Sequence, residues 1–123
     1  MRNTWFSLAL QDRATDKVIG EVQWSLWEDT SAAVVELYVN RTSQRQGFGA
    51  EALQATLRFC LNVLGFRRMI LLCDTRNIAA SRIADKAGMR REAEFVKDRF
   101  LNGVWANTFQ YAMLAEEFKS AEG

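Results

Sequence analysis

The 123-residue sequence contains no histidine and no proline, and it has only two cysteines. Without histidine, a Ser-His-Asp triad, a Cys-His pair and a metal site with imidazole ligands are all excluded. Without proline, turns have to be built from glycine, asparagine and aspartate. Cys60 and Cys73 do not have the spacing of a metal or redox motif and lie in apolar surroundings. We therefore expect both to be buried, reduced thiols.

The sequence also lacks an excess of charge of either sign, because 16 basic and 15 acidic residues leave a net charge of +1. No basic face is evident, so nucleic acid is not expected as a partner. No apolar run is long enough to cross a membrane, and no signal-peptide pattern follows Met1. These features predict one globular domain over residues 1–123, located in the cytoplasm, with no membrane partner.

Apolar periodicity in the first half of the sequence predicts three strands and a helix. The strands span residues 4–10, 18–27 and 32–39, and the first two form an antiparallel hairpin with a longer loop. The helix runs from about residue 48 to residue 64 and ends before Gly65. Its apolar stripe consists of Leu53, Leu57, Cys60, Leu61 and Leu64.

The second half predicts a strand, a helix and a terminal hairpin. Residues 69–74, MILLCD, form a continuous apolar run that is typical of a central strand covered on both faces. A second helix begins near Asn77 and ends at Gly88. Asn102 and Gly103 separate the last two strands and form the strongest short hairpin signal. The predicted fold is α/β (α+β), in the order β-β-β-α-β-α-β-β. It has a mixed, mostly antiparallel sheet of about six strands, two main helices, and a parallel strand pair around the first helix.

The stretch QRQGFGAEAL, residues 44–53, leads from the third strand into the first helix through two glycines. Without Cβ atoms, Gly47 and Gly49 allow the backbone to bend tightly and to lie against a ligand. The first N–H groups of the following helix have no intrahelical partner and favour an anion such as a diphosphate. The preceding residues add one charge and hydrogen bonds; they are Gln44, Arg45 and Gln46. Taken alone, a glycine pair before a helix is as often only a tight turn.

In combination the motifs are more specific. QRQGFGAEAL follows ELYV, and the pattern N-x-x-x-S-x-x-x-x-K-x-G comes next, at Asn77, Ser81, Lys86 and Gly88. Together with the Asn-Gly hairpin, these motifs resemble the GNAT superfamily of acyl-CoA-dependent N-acetyltransferases. Within that superfamily they are most similar to the RimJ/RimL-like branch.

The resemblance covers residues 5–118 and implies that acetyl-CoA is the cosubstrate and that no metal is needed. The glycine loop would wrap the pyrophosphate of coenzyme A, and the end of the third strand would splay from the fourth and pair with the pantetheine arm. The implied binding residues are Leu37, Tyr38, Val39, Gln44, Arg45, Gln46, Gly47, Phe48, Gly49, Ala50, Asn77, Ser81, Arg82 and Lys86. From the residues alone, Asn77 is equally a helix N-cap, and Arg82 and Lys86 equally lie on a solvated helix face.

Acetyl transfer to an amine needs a group that takes the amine proton and donors that stabilise the oxyanion. Glu36 is the best candidate base, because the resemblance places it beside the thioester; alternatively it is an exposed strand carboxylate. The backbone N–H near Val39 is the candidate oxyanion donor.

The donor of a proton to the leaving thiolate is less well defined. Many members of the superfamily use a tyrosine seven residues after the asparagine, but Ala84 occupies that position here. Relatives also often carry a glutamate where this sequence has Leu72. Ser81 or a water molecule is therefore the candidate acid, and Tyr111 is a weaker candidate that is otherwise a half-buried aromatic.

RimJ/RimL-like proteins normally open with one more strand and two helices that wall the acceptor site, whereas this sequence begins at the second strand. We therefore expect an open sheet edge and an uncovered aromatic patch that includes Trp5, Phe6, Trp24 and Trp27. A homodimer through this open side is the expected remedy. Three explanations stay open: a second subunit completes the site, a shortened reading frame keeps only cofactor binding, or a large acceptor supplies the missing wall.

Three functions are compatible with the sequence. The first is an N-acetyltransferase that moves an acetyl group from acetyl-CoA to a protein N-terminus or a small-molecule amine by direct attack. The alternative is a non-catalytic acyl-CoA-binding or interaction module. The third, an α/β domain without a cofactor, requires the glycine turn to be accidental.

Overall fold

A computed structural model describes residues 5–26, 31–40, 44 and 47–122, with Trp5 and Glu122 described by their backbone only. Within these ranges the chain forms six strands and three α-helices. The strands are β1 (Trp5–Gln11), β2 (Val18–Leu26), β3 (Ala32–Val39), β4 (Arg68–Asp74), β5 (Arg90–Leu101) and β6 (Val104–Leu114). The helices are α1 (Phe48–Arg58), which continues into a π-helical turn (Phe59–Val63), α2 (Ile78–Lys86) and α3 (Ala115–Glu122). No described helix is long and apolar enough to span a membrane.

The six strands form one sheet in the order β1-β2-β3-β4-β6-β5. β3 and β4 pair in parallel, and every other neighbouring pair is antiparallel. The parallel pair is the one connected through a helix, as the geometry of a parallel connection requires. The predicted fold class and the predicted element order through β6 are confirmed.

The core lies between α1, α2 and one face of the sheet. Val35 on β3 and Leu71 on β4 meet Leu53 and Leu57 of α1 there. Four residues of the predicted apolar stripe are buried, and the prediction is wrong only for Leu64, which is 47% exposed. The π-helical turn explains this difference, since its wider turn rotates the following residues away from the stripe.

Local signals set the ends of α2 as the sequence predicts. Asn77 is the N-cap, and its Oδ1 accepts a hydrogen bond from the N–H of Ala80 at 3.1 Å. Gly88 follows the helix with a φ of +87°. The N–H of Met89 then donates to the carbonyl of Ala84 at 3.1 Å, which closes the last turn.

The terminal hairpin turns at Asn102 and Gly103, which have φ values of +50° and +81°. This confirms the predicted Asn-Gly turn. β5 begins at Arg90, whereas the segment FVKDRFL predicts a strand only from residue 95. Its pairing with β6 is interrupted twice, and the second irregularity lies between Phe95 and Arg99.

α3 is not predicted from the sequence, yet this helix contributes to the core. Phe118 is 1% exposed and packs in the main apolar cluster. The Glu117 carboxylate accepts a hydrogen bond from the N–H of Leu114 at 2.9 Å, which is one half of a capping box. A glutamate three residues after the cap is therefore the sequence signal that marks this helix.

Candidate functional site

A cleft of about 1040 Å³ opens at the carboxyl ends of β3 and β4. Parallel pairing between the two strands ends at Val35 and Leu71, although β3 continues to Val39 and β4 to Asp74. The facing edges of the two strands are therefore unpaired with each other beyond that point, and their backbone groups need other partners. The predicted splay of these strands is confirmed.

The N-terminus of α1 forms a second wall of the cleft. Gly47 is the N-cap, with a φ of +84°, and no side chain of the described residues caps the helix. A Cβ atom on Gly47 would meet nothing within 4 Å, so the left-handed backbone rather than crowding favours glycine here. The first N–H groups of α1 are left for a ligand or solvent at the positive end of the helix dipole.

Gly49 has a different role. It is buried, and a Cβ atom there would lie 2.8 Å from Cδ1 of Ile83 on α2. The absence of a Cβ atom at Gly49 allows α1 and α2 to pack closely, so this residue shapes the cleft through helix packing. The two glycines of the motif therefore have separate roles.

The third wall is α2, which presents two cations. Arg82 and Lys86 both line the cleft, at a four-residue spacing that places them on one face of the helix. Neither side chain has a hydrogen bond or ion pair with any residue in the described ranges. Asn77 lines the same wall, and its Oδ1 is already used to cap the helix.

Glu36 and Tyr38 lie on β3 at the opposite side of the cleft. The Tyr38 hydroxyl donates to Oε2 of Glu36 at 2.5 Å. This hydrogen bond, together with partial burial, raises the pKa of Tyr38 to about 12. The phenol therefore keeps its proton at neutral pH and orients the carboxylate, whose second oxygen is left for another partner.

Asp74 also lines the cleft, at the end of β4. The Arg76 side chain donates to its carboxylate from Nη2 at 2.6 Å and from Nε at 3.0 and 3.3 Å. The Arg76 hydrogen bonds lower the pKa of Asp74 to about 2. Asp74 is therefore a paired anion and a poor proton acceptor.

Most of the residues predicted to act in the site line this cleft. They are Glu36, Leu37, Tyr38, Val39, Gln44, Gly47, Gly49, Ala50, Asn77, Arg82 and Lys86. The Gln44 amide donates to the carbonyl of Val39 at 3.0 Å, so it also fixes the end of β3. Phe48 does not line the cleft, and Arg45 and Gln46 lie outside the described residues.

The two hydroxyl groups proposed as proton donors lie away from the cleft. Ser81 is 9% exposed, and its Oγ lies 3.8 Å from Sγ of Cys73 on β4. Tyr111 is fully buried, and its hydroxyl accepts hydrogen bonds from Arg91 at 3.1 and 3.2 Å. Neither Ser81 nor Tyr111 is among the residues that line the cleft.

Sequence reasoning missed two charged residues of the cleft, Asp74 and Arg99. Asp74 could have been found, because a carboxylate directly after a buried strand stands at the sheet edge where ligands bind. Arg99 carries no local signal, since its position depends on the irregular pairing of β5.

The predicted buried thiols are confirmed, because Cys60 and Cys73 are both free and buried. Burial raises the pKa of the Cys60 thiol to about 12. The described part of the chain contains no group of three or more cysteine, aspartate or glutamate side chains placed to hold a metal ion.

A second, apolar depression of about 640 Å³, here called the β1 groove, lies between the first hairpin and the end of the π-helical turn. Its lining residues are Phe6, Ser7, Leu8, Trp24, Leu26, Phe59, Leu64 and Phe66. The expected exposure is confirmed for Phe6, at 48%, but is wrong for Trp24, at 5%. Trp24 is covered because it stacks on Phe6 and meets the edge of Phe59. The Trp5 side chain and Trp27 lie outside the described residues.

Comparison with known proteins agrees with the architecture of the cleft. Residues 1–90 match the family model described as the acetyltransferase (GNAT) domain. The uncharacterized N-acetyltransferase YnaD of Bacillus subtilis (strain 168) is 30% identical over 113 residues, which cover 92% of this chain and 65% of the relative. The chain thus spans about two thirds of the length of this curated relative.

Solved structures share the fold. An acetyltransferase of the GNAT family from Bacillus anthracis superposes with a TM-score of 0.85 at 25% identity, over 90% of this chain and 67% of the other. Mutant forms of the spermidine/spermine N-acetyltransferase SpeG from Vibrio cholerae give a TM-score of 0.89 at 18% identity, over 98% and 73% of the two chains. The family match over most of the sequence, the splayed strands and these shared architectures show that this chain belongs to the GNAT family of acetyltransferases.

Proposed function

We propose that this protein is an N-acetyltransferase that moves an acetyl group from acetyl-CoA to a primary amine by direct attack. The observation that carries this proposal is the splay of β3 from β4 beyond Val35 and Leu71, opposite the uncapped N-terminus of α1. An unpaired strand edge suits the amide-containing pantetheine arm, because that arm can pair as an added strand. A helix N-terminus suits a diphosphate.

The remaining residues of the cleft fit coenzyme A chemically. The open space at Gly47 admits a phosphate close to the backbone, and Arg82 and Lys86 supply positive charge on the neighbouring helix. The Asn77 amide uses its oxygen as a cap and keeps its NH₂ group as a donor for the pantetheine. Leu37 through Val39 provide the strand edge.

Glu36 is the proposed base for the reaction. The amine nitrogen forms a bond to the thioester carbonyl carbon, the carbon–sulfur bond breaks, and the amine loses one proton. Glu36 takes that proton directly or through water, while the Tyr38 hydroxyl holds the carboxylate in place. The backbone N–H near Val39 stabilises the oxyanion. The thiolate takes a proton from water or leaves as the anion, since Ser81 and Tyr111 are buried.

A primary amine is the proposed acceptor, either a protein N-terminus or a small molecule. The solved Vibrio cholerae relative is a spermidine/spermine N-acetyltransferase, which supports an amine as the nucleophile in this fold. We further propose a cytoplasmic location, because two buried free thiols stay reduced there. A homodimer through the β1 groove is proposed as the assembled form.

A non-catalytic acyl-CoA-binding module is the second candidate function. The observation that favours it is the burial of Ser81 and Tyr111, together with that of Ala84 where family members often place a tyrosine acid. Binding without turnover is the behaviour that such a cleft would show.

Two measurements on the purified protein separate these candidates. Calorimetry with acetyl-CoA reports binding, and release of free coenzyme A thiol over a panel of primary amines reports transfer. The proposed function predicts binding together with thiol release that depends on the amine. Binding with no release above the rate without amine would select the module, and absence of binding would exclude both.

A further inference from the structure

Arg99 lies on the same face of the sheet as the proposed base. It pairs with Ala106 across the hairpin, and two residues further along β6 Thr108 pairs with Asp74. Residues directly opposite each other, and residues two apart, share a face. Glu36 also points to this face, because its neighbour Val35 faces the helix-covered core. Both Arg99 and Glu36 line the cleft.

Arg99 reaches this position because β5 bulges immediately before it. Phe95 pairs with Thr108 and Arg99 pairs with Ala106, so residues 96–98 stand opposite Asn107 alone. Bulges of this kind re-aim side chains and occur next to active sites.

The bulge is held by specific contacts. Lys97 has a φ of +51°, in the left-handed region that residues with a side chain seldom adopt. Its N–H donates to Oδ1 of Asn107 at 2.7 Å, and the hydroxyl of buried Thr108 donates to Oδ1 of Asp98 at 2.7 Å. An unfavourable backbone held by two hydrogen bonds beside a cleft indicates a functional constraint.

The Arg99 guanidinium has no hydrogen bond or ion pair with any residue that the structure describes, although the residue is half-buried. Its charge acts across the cleft. The pKa of Tyr38 is raised mainly by Glu36 and is lowered slightly by the charge of Arg99. The pKa of Asp74 is lowered mainly by Arg76, and Arg99 adds to this effect. A partly desolvated cation without a partner is stabilised when an anion binds it.

The residues proposed to bind the phosphates of coenzyme A lie on a different element from Arg99. Arg82 and Lys86 stand on α2, and α1 and α2 pack on the helix-covered face with Val35 and Leu71. Arg99 faces the opposite side of the sheet, with Glu36. The position of Arg99 thus associates it with the acceptor rather than the cofactor.

We propose that Arg99 determines acceptor specificity by binding a carboxylate on the acceptor while the amine approaches the thioester beside Glu36. This inference rests on the proposed function and names its substrate class, an amine that also carries a carboxylate, such as an amino acid. A plain polyamine would leave the guanidinium without a partner.

Matched acceptors that differ only by the carboxylate test this inference; L-lysine with cadaverine and L-phenylalanine with phenethylamine are two such pairs. The wild type should show a kcat/KM about tenfold or more higher for the carboxylate member, the effect of one charge-assisted contact. Arg99→Gln should abolish this preference mainly through KM, while Arg99→Lys keeps part of it. Arg13→Gln, in the β1–β2 turn, is the control with the same change in charge.

Other outcomes overturn the inference in distinguishable ways. Equal kcat/KM for both members of each pair would overturn it and leave the proposed function intact. A loss of coenzyme A affinity in Arg99→Gln but not in Arg13→Gln would assign the guanidinium to the cofactor. If no amine is turned over, calorimetric binding of L-lysine and cadaverine to the coenzyme A complex decides: equal binding overturns the inference, and an Arg99-dependent preference for L-lysine supports it. A protein that does not bind coenzyme A would exclude both proposals.

Discussion

At the scale of single residues, the two glycines of one motif have different roles. Gly47 has a left-handed backbone with open space where a Cβ would stand, whereas Gly49 allows Ile83 to pack against α1. A ligand that contacts the backbone should therefore be displaced directly by a side chain introduced at Gly47.

Gly47→Val is expected to weaken coenzyme A binding by about tenfold or more, because its side chain would occupy the space beside the uncapped helix N-terminus. Gly65→Val is the matched control, since Gly65 also has a positive φ with nothing within 4 Å of its Cβ position and lies outside the cleft. Both variants should lose similar stability, and calorimetry should show the loss of affinity in Gly47→Val alone. Equal affinities in the two folded variants would make the turn purely structural.

Glu36→Gln is expected to lower kcat/KM at neutral pH by roughly a hundredfold, the usual contribution of a general base. The loss should shrink at high pH, where amines are already neutral. Tyr38→Phe should lose less, about tenfold, because it removes the hydrogen bond that orients the carboxylate and leaves the base in place. A pH–rate profile of Glu36→Gln that runs parallel to that of the wild type would remove Glu36 from the mechanism.

Residue roles were predictable where one local rule decides them. Asn77 precedes a helix and caps it, and Gly47 occupies a turn that needs a positive φ. Ser81 fits a family motif, but its hydroxyl lies against Cys73 on β4, a contact that the spacing of the motif does not reveal. The burial of Trp24 depends on Phe59, far along the sequence.

At the scale of elements, an ion-pair chain links β4, β5 and α3. Arg68 donates two hydrogen bonds to Glu92, at 2.9 and 2.5 Å. Arg90 bridges Glu92, at 3.1 Å, and Glu117 on α3. The Arg68 hydrogen bonds are the main reason that the pKa of Glu92 falls to about 2, from an ordinary value of 4.5.

This lowered pKa predicts a pH-dependent stability. Because the folded protein binds the Glu92 proton more weakly than the unfolded chain, the contribution of Glu92 is fully present above about pH 4.5 and is lost as the pH falls toward about 2. Glu92→Gln should cost about 1 kcal/mol at neutral pH and show a shallower loss of stability on acidification.

The measurement is the urea midpoint as a function of pH, with Glu116→Gln as the control, since Glu116 is an exposed carboxylate on α3. The control should follow the wild-type curve. Curves for Glu92→Gln and the wild type that remain parallel between pH 5 and 2 (about the range given by the two pKa values) would show that the ion-pair chain does not stabilise the fold.

Element type and order were predictable because strand alternation, helical stripes and the Asn-Gly turn are local signals. The π-helical turn and the bulge in β5 were not, because each depends on partners outside its own segment. The bulge requires Asn107 to accept from the Lys97 N–H, and that contact forms only once β6 pairs. The position of Arg99 follows from the bulge, and it could not be predicted for the same reason.

At the scale of the whole molecule, the β1 groove lies along β1, which stands at the edge of the sheet. Phe6 and Leu8 are 48% and 54% exposed, and β1 contains neither proline nor lysine to prevent pairing with another strand. A second copy of this chain is the proposed occupant, because a twofold axis would cover both edges at once.

We expect a dimer of two 14.1 kDa chains in light scattering coupled to gel filtration at micromolar concentration. The interface should bury over about 1,200 Å² in total. Leu8→Lys should shift the protein to monomer, while Leu101→Lys, at the end of the distant β5, should not. A wild-type species of 14.1 kDa would contradict the dimer and the proposal that a second subunit completes the acceptor site.

The proposed function depends on the binding of acetyl-CoA by the splayed strands and the N-terminus of α1. Backbone amide NMR during a titration with acetyl-CoA tests this binding most directly, because each amide reports its own surroundings. We expect saturable shifts concentrated at residues 36–39, 47–50 and 77–86, with little change at Phe6 and Leu8. Absence of saturable shifts, or shifts confined to the β1 groove, would contradict it.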